Sequence, residues 1–460
     1  MPNRTVQLTT VDGTFADGES TAERLGSQLP SSNNILAYWC RRILLGIVVM
    51  EIPLQIDKYF LHDFDLALTG ALSGFIVSIS TFCLILLYAQ WLPKLVIESR
   101  PLRGNFALTI YTAIVTASTL WALQPTLALY ETFLLGQSFL LFIYIVNTVT
   151  EKNDIIFIVT CLALCLAGEG LMMMLTQVLH RTLSLGPIYF DYNEITNRVS
   201  GSLGAANVAA SFFNLLIPLC CCLLFSTNSK RLRQLSAIAL LLGGLGLVLT
   251  LSRGGWIGTT FSIGICVAIA LQKKWLSQTL FIKLSLGCGL LIIACLPLLA
   301  ERIFGDDNGS AQSRISLMQI STLIIADHPF GVGANNWAVA GQHYADRTNF
   351  REEWFYTVHN KYLLVLTEVG IIGFLAFGAF ILTTIRSGWR ILGRSDRLLT
   401  PIALGLTAGI CGQQIHMMGE IFNSRSQVQL LLLAAALIFC LANFAWVVRR
   451  RGIFLICGIR

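Results

Sequence analysis

The sequence predicts an all-α polytopic membrane protein with about twelve transmembrane helices. Of its 460 residues, 55% are hydrophobic and 12% are charged, and the mean hydropathy is +0.69. Soluble proteins carry about twice that share of charged residues. A second observation is that apolar stretches of about 20 residues, the length a bilayer requires, recur along the chain. We place them at 36–55, 66–91, 105–123, 126–149, 154–179, 203–226, 234–251, 255–272, 278–299, 361–385, 399–419 and 427–448.

The remaining segments define the domain organisation. Residues 1–35 are polar and have no apolar h-region, so we expect a disordered cytoplasmic tail. Residues 36–299 form the first nine predicted transmembrane helices, and residues 361–448 form the last three. Between them lies one long outer loop, residues 300–360, and residues 449–460 form a basic cytoplasmic tail. Long loops of this kind are commonly functional.

The distribution of Lys and Arg predicts the orientation of the helices. With the N-terminus inside, the even-numbered connections and both tails are cytoplasmic, and they hold most of the basic residues, such as Lys230, Arg231 and Arg390. The net charge of +7 therefore follows from topology. It gives no support for nucleic-acid binding.

No cofactor and no metal site is predicted from the cysteines. The chain has thirteen of them, in apolar runs or near the cytoplasmic face, without CxxC spacing. Two acidic pairs leave a cation open as an alternative to a solvated loop, namely Asp63 with Asp65 and Asp306 with Asp307. Three acids in apolar stretches are expected to be protonated or paired inside the bundle; they are Glu51, Glu131 and Glu169.

The long loop contains a predicted helix. From Arg314 onward, apolar residues recur at helical spacing until Pro329, which indicates a helix on the outer leaflet. The Gly- and Pro-rich residues 327–333 then predict a turn. Trp337 and Tyr356 offer flat apolar surfaces for a sugar ring, with interfacial anchoring as the alternative.

Two arginines lie near short outer turns. Arg253 stands in the turn 250–256, where Gly254 and Gly255 leave backbone N–H groups at a helix start, an arrangement suited to a phosphate. A tight turn without a ligand is the alternative. Arg198 lies above a small-residue face at 201–210 that permits close packing, and it either contacts the same anion or snorkels to headgroups.

Histidines supply the candidate general base. His359 lies where the loop re-enters the membrane, and a side chain with a reference pKa of about 6.5 suits proton removal near neutral pH. His328, beside Pro329, is interpreted as structural. His343 is expected to be a solvated residue or an acceptor contact, and His416 is a further candidate to line a substrate cavity, grouped with Glu420 and Arg425.

In combination these motifs resemble the O-antigen ligase family, which also includes polysaccharide polymerases and protein O-oligosaccharyltransferases. The resemblance rests on SRGG at 252–255, Arg314 before HPFGVG at 328–333, VHN at 358–360 and EVG at 368–370. By motif it covers residues 198–375.

The resemblance implies a GT-C-type architecture with a large periplasmic loop in the bacterial inner membrane. It implies a metal-independent, inverting transfer of a glycan from undecaprenyl pyrophosphate to an acceptor, either lipid A-core or a growing polysaccharide. At matching positions, Arg253 and Arg314 would bind the pyrophosphate, with Arg198 as a third contact, and His359 would be catalytic. Membrane lipids are the remaining expected partners.

Two other functions stay open from the sequence. One is a protein O-oligosaccharyltransferase, which would use the same donor. The other is a non-catalytic transporter of lipid-linked glycans, which would also need cations for pyrophosphate. A transporter is expected to show inverted repeats and charges along a path through the bundle, whereas these arginines cluster at one face.

Overall fold

The computed structural model describes residues 32–456, apart from 68, 99–100, 227–228, 280–281, 283–285, 287–309, 349, 351–354 and 394–395. The predicted N-terminal tail, the ninth apolar stretch and Asp306 with Asp307 lie largely or wholly outside these residues. The chain forms two compact units, residues 1–43 and residues 44–460. In the first unit, Arg42 Nη1 donates to the hydroxyl of Tyr38.

The described residues are mostly helical, and eight of their helices are long and apolar enough to cross a membrane. The chain is therefore an all-α polytopic membrane protein, while the count of twelve stays a prediction. The helices are α1 (Ser32–Leu54), α2 (Phe64–Ala67), α3 (Ile79–Glu98), α4 (Phe106–Ala117), α5 (Pro125–Thr148), α6 (Lys152–Leu179), α7 (Ala206–Ser226), α8 (Lys230–Leu249), α9 (Arg253–Gln272), α10 (Ser310–Asp327), α11 (Trp337–Gln342), α12 (Lys361–Leu392), α13 (Leu399–His416) and α14 (Arg425–Ile456).

Two small sheets occupy connections that the sequence left as loop or helix. Strands β1 (Asp57–Phe60) and β2 (Phe75–Ser78) pair antiparallel. The second apolar stretch therefore begins with the end of the short helix α2, and its long helix starts at Ile79 and not at 66. Strands β3 (Leu183–Leu185), β4 (Ile188–Asn193) and β5 (Arg198–Gly201) form an antiparallel sheet before α7. The prediction of a long helix over residues 66–78 was wrong because apolar residues at the end of this run pack a strand, β2.

Small residues allow the helices around α7 to approach closely. A Cβ on Gly409 of α13 would lie 2.5 Å from the carbonyl oxygen of Leu215, and one on Gly255 of α9 would lie 2.6 Å from Cβ of Ala210. Both contacts require glycine. The small-residue face predicted near Ala210 is thus confirmed as a surface of close helix packing.

Helix α12 is broken at Gly370, whose φ of 67° and ψ of −173° are outside the helical region. On one side of the break Tyr362 donates to Gln414 O of α13, and on the other Gly388 packs against Thr407. A straight helix from Tyr362 to Gly388 would be about 39 Å long, whereas Gln414 and Thr407 lie only about 10 Å apart along α13. The segment before Gly370 must therefore turn away from the axis of the segment after it.

The turn at 328–333 fills this break. Val332 N donates to Thr367 O and Gly333 N to Glu368 O, while Ile371 N donates to Pro329 O. These bonds replace the helical ones that the break removes. Two glycines permit the approach, because a Cβ on Gly370 would meet Phe330 C at 2.5 Å and one on Gly331 would collide with Glu368 O.

Replacing Gly370 with Ala should undock this turn. The variant would need a left-handed backbone and a Cβ inside Phe330, so we expect a loss of about 3 kcal/mol or more and faster proteolysis of the outer loop. Gly378→Ala is the matched control, since a Cβ there meets nothing within 4 Å. Equal protease resistance in the two variants would show that the docking does not depend on this contact.

A buried ion cluster joins α1, β1 and α14. Arg425 is 2% exposed; its two terminal nitrogens lie 2.9 Å from the two carboxylate oxygens of Glu51, and its Nε lies 2.7 Å from Oδ1 of Asp57. The expectation that Glu51 is paired is confirmed. The grouping of Arg425 with a substrate cavity is wrong, because its guanidinium is consumed by these two carboxylates.

Arg425→Met should be strongly destabilising. It leaves Glu51 and Asp57 buried without their cation, which costs about 3–5 kcal/mol. Thermal unfolding in detergent measures the loss. Arg347→Met is the control, because Arg347 is 63% exposed and lies 3.7 Å from Asp327, so its removal should cost less than about 1 kcal/mol. Similar losses in both variants would contradict the account of Arg425.

Candidate functional site

The site is centred on Glu420, which follows the 3₁₀ turn Met417–Gly419 at the end of α13. Glu420 is 6% exposed, and its carboxylate lies within electrostatic range of Arg314 and Arg198 and bonds Asn207. Burial raises the pKa of Glu420 to about 7, against the lowering effect of the two arginines. Two arginines far apart in sequence therefore face one carboxyl group.

Arg198 is held by the turn that carries Arg253. Its Nε donates to Thr250 O and its Nη2 to Oδ1 of Asn207, both at 2.8 Å. Arg198 begins β5, whose end is fixed by Glu169, which accepts bonds from the backbone and hydroxyl of Ser202. Glu169 is thus paired, as expected, and it positions the strand that presents Arg198.

Arg253 is the first residue of α9 and is exposed. Ser252 caps the helix by accepting from Gly255 N, and a left-handed residue, Leu251, turns the chain into it. The helix N-terminus therefore opens beside Arg198, and both favour an anion.

Arg314 reaches the same place from α10. Its Nη1 lies 4.0 Å from where a Cβ on Gly419 would stand, next to Glu420. It also acts electrostatically on His359 and His416. The predicted helix after Arg314 is present as α10, and it ends at Asp327 before Pro329. Arg314 accordingly acts both on Glu420 and on the two histidines.

His359 has a defined tautomer. Its Nδ1 lies 3.1 Å from Thr357 O, so Nδ1 carries the proton and Nε2 is left with a lone pair. Burial, with Arg314 adding to it, lowers the pKa of His359 to about 4, although the Thr357 carbonyl acts the other way. At neutral pH the ring is therefore uncharged and able to accept a proton.

The backbone around His359 is fixed on both sides. Thr357 N donates to Thr69 O, and Asn360 caps α12 by accepting from Tyr362 N and Leu363 N. Glu368 does not bond His359; its Oε1 accepts from Trp337 N. Asn360 and Glu368 thus position the segment rather than the imidazole directly.

The four weaker candidate residues differ in how accessible their side chains are to a substrate. The prediction that Trp337 contacts a sugar is wrong. Its side chain is 0% exposed, stacks on Phe355 with ring centroids 5.3 Å apart and donates a hydrogen bond to Ser321. Trp337 therefore packs the loop and offers no face to a sugar. Tyr356 is 41% exposed, with its ring centroid 6.4 Å from that of His359. His343 is exposed on the loop. The His416 ring lies against Gly254, at the start of α9.

The sequence missed Asn207 and the two asparagines that seat the loop. Asn335 bonds the backbone of Leu72 in both directions, and Asn336 accepts from Gln124 N at 2.7 Å. Both are buried. No sequence pattern marks these residues, because their burial and their hydrogen-bond partners in distant segments are set by the fold.

No group of three His, Cys, Asp or Glu suited to a metal occurs among the residues that the structure describes. Within the first outer loop, Oδ1 of Asp63 accepts from Leu66 N and so caps α2. The site described above supplies positive charge through guanidinium groups.

Residues 238–378 match the model of a known family, O-antigen ligase. The match includes Arg253, Arg314 and His359, three of the residues on which the resemblance rests, and confirms that resemblance. No curated protein matches the chain.

Proposed function

We propose that this chain, whose residues 238–378 form an O-antigen ligase domain, is a glycosyltransferase that uses a lipid-linked diphosphate donor at the periplasmic face of the bacterial inner membrane. The domain supports a transferase of the O-antigen ligase or polymerase type. The observation that carries the donor assignment is that Arg198 and Arg314 face Glu420, next to the turn that carries Arg253, and that Arg314 also acts on the neutral imidazole of His359.

The charges suit a diphosphate. Arg198 and Arg314 face Glu420, and Arg253 lies on the neighbouring turn. Three guanidinium groups and one carboxylate leave a surplus of about two positive charges when Glu420 is ionised. A sugar–diphosphate–lipid carries two negative charges. Guanidinium forks bind phosphate oxygens in pairs, and the N-terminus of α9 adds backbone donors. The donor undecaprenyl pyrophosphate is bound this way in our proposal, without a metal ion.

The chemistry then requires one proton transfer and one displacement. Nε2 of His359 takes the proton of the acceptor hydroxyl, whose oxygen attacks the anomeric carbon of the donor glycan. The bond from that carbon to the phosphate oxygen breaks, and its electrons pass to the diphosphate, where the arginines stabilise the charge. A single displacement inverts the anomeric configuration. Protonated His359 returns its proton to solvent at the periplasmic face.

We propose that the chain has a GT-C-type architecture with twelve helices and both termini in the cytoplasm. The excess of Lys and Arg on the even-numbered connections supports it. The turns that carry Arg198 and Arg253 and the loop that carries His359 then share the outer face. An acceptor that is lipid A-core or a growing polysaccharide approaches His359 on the side of the exposed Tyr356.

Three single variants test the site in cells. His359→Ala, Arg253→Ala and Arg314→Ala should lower surface polysaccharide by roughly a hundred-fold or more, because each removes a general base or a charged donor contact. The protein should remain in the membrane, as shown by immunoblot. Arg347→Ala, at an exposed arginine of the same loop, should behave as wild type. Retained polysaccharide in the His359 variant would remove this mechanism.

The pH profile tests the state of His359. Protonation blocks the base, so activity is present above its pKa and is lost as pH falls through that value. With the pKa lowered to about 4, kcat/KM for the donor should stay level from pH 8 to about 5. Glu420→Gln provides the background, since that carboxyl would otherwise titrate near 7. An acid limb at the ordinary histidine value of about 6.5 would contradict the buried, neutral imidazole.

A further inference from the structure

We infer that His416 is a second histidine of the donor site, one that donates a hydrogen bond from Nε2 to the diphosphate at the N-terminus of α9. This inference rests on the proposed function and adds a residue that recognises the donor. Nothing in the chemistry described above uses His416, although it lies within the same cluster.

The His416 ring is buried, and one of its nitrogens has no partner among the described residues. His416 is 2% exposed, and its Nδ1 has no hydrogen-bond partner in the part of the chain that the structure describes. A buried histidine that serves only the fold is expected to have its ring nitrogens bonded within the protein. Nδ1 of His416 makes no such bond to a described residue, so the fold does not dictate which ring nitrogen carries the proton.

The His416 ring lies at the start of α9. The His416 ring lies against Gly254, where a Cβ would stand 3.0 Å from Cδ2 and 3.7 Å from Nε2. Gly254 is the second residue of α9, directly after Arg253. The ring edge that contains Nε2 therefore faces the first turn of a 20-residue helix, where N–H groups have no helical acceptor. A larger residue at 254 would displace this edge.

His359 and His416 differ in how the proton of the ring is held. Thr357 O fixes the proton of His359 on Nδ1, which makes Nε2 an acceptor suited to a base. In His416 no described group fixes Nδ1, so the proton is free to sit on Nε2 and to be donated. Arg314 acts electrostatically on both rings. One histidine thus faces the acceptor and the other the leaving diphosphate.

The experiment compares four variants in donor kinetics and in direct binding of undecaprenyl pyrophosphate. His416→Leu should raise the donor KM and the Kd for the carrier roughly ten- to hundred-fold, the loss of one hydrogen bond to a charged group, with acceptor KM unchanged. His416→Gln places an amide nitrogen near the position of Nε2 and should restore binding to within a few-fold. His416→Asn places its amide near Nδ1 and should resemble Leu. Arg347→Leu, at an exposed residue with no role in the site, should match wild type.

A merely structural role would give a different pattern, with lowered thermal stability or kcat and an unchanged donor KM. That pattern, or equal binding by the Gln and Asn variants, would overturn the inference. If the Leu variant does not fold, the contrast between Gln and Asn decides alone. Carrier binding needs no transfer, so wild type that binds the carrier without transferring glycan would refute the proposed function, while the order of the variants would still judge His416.

Discussion

The candidate site depends on the docking of the turn at 328–333 into the break of α12. Arg314 lies on the helix before this turn, and His359 lies on the segment that leads into α12. The hydrogen bonds to Thr367 O and Glu368 O fix the relation between those two elements. Since a Cβ at either Gly331 or Gly370 would enter backbone atoms, the fit allows only glycine. Arg314 and His359 are therefore positioned by a contact that neither residue makes.

Charge is distributed differently at two buried polar centres, one around Arg425 and one around Glu420. Around Arg425, two carboxylates more than compensate one guanidinium, and all three groups are shielded from solvent. Around Glu420, two arginines face one carboxylate, with Arg253 on the neighbouring turn, so positive charge is in excess. An uncompensated cluster of cations is costly unless an anion binds. The first centre joins α1, β1 and α14, and the second has the charge balance expected of the anion site that we propose.

Much of this could be predicted from sequence because the relevant signals are local. Hydropathy located most of the helices, periodicity located α10, and the spacing of Pro and Gly located the turn. The sequence placed Arg253, Arg314 and His359 on one face, and their shared site stays a prediction. Their detailed contacts did not follow from the sequence, since a topology fixes the side of the membrane but not the neighbours within that side.

The failures share a physical cause, which is that burial of a particular side chain is a tertiary property. Trp337 had the composition of a sugar platform, yet Phe355 and Ser321 cover it. Arg425 stood beside Glu420 in sequence, yet α14 turns it toward Glu51. Asn335 and Asn336 gave no periodic signal because they bond backbone atoms from distant loops. In each case the partner is remote in sequence.

The central claim is that one site of arginines and a neutral histidine transfers a glycan from a lipid diphosphate. Reconstitution of the purified chain in liposomes tests it most directly, with undecaprenyl-pyrophosphate-linked glycan as donor, a lipid A-core or oligosaccharide acceptor, and a metal chelator present. The account predicts one free undecaprenyl pyrophosphate for each glycan joined to acceptor, with an inverted anomeric centre. Release without transfer, retention of configuration, or loss of activity with the chelator would contradict it.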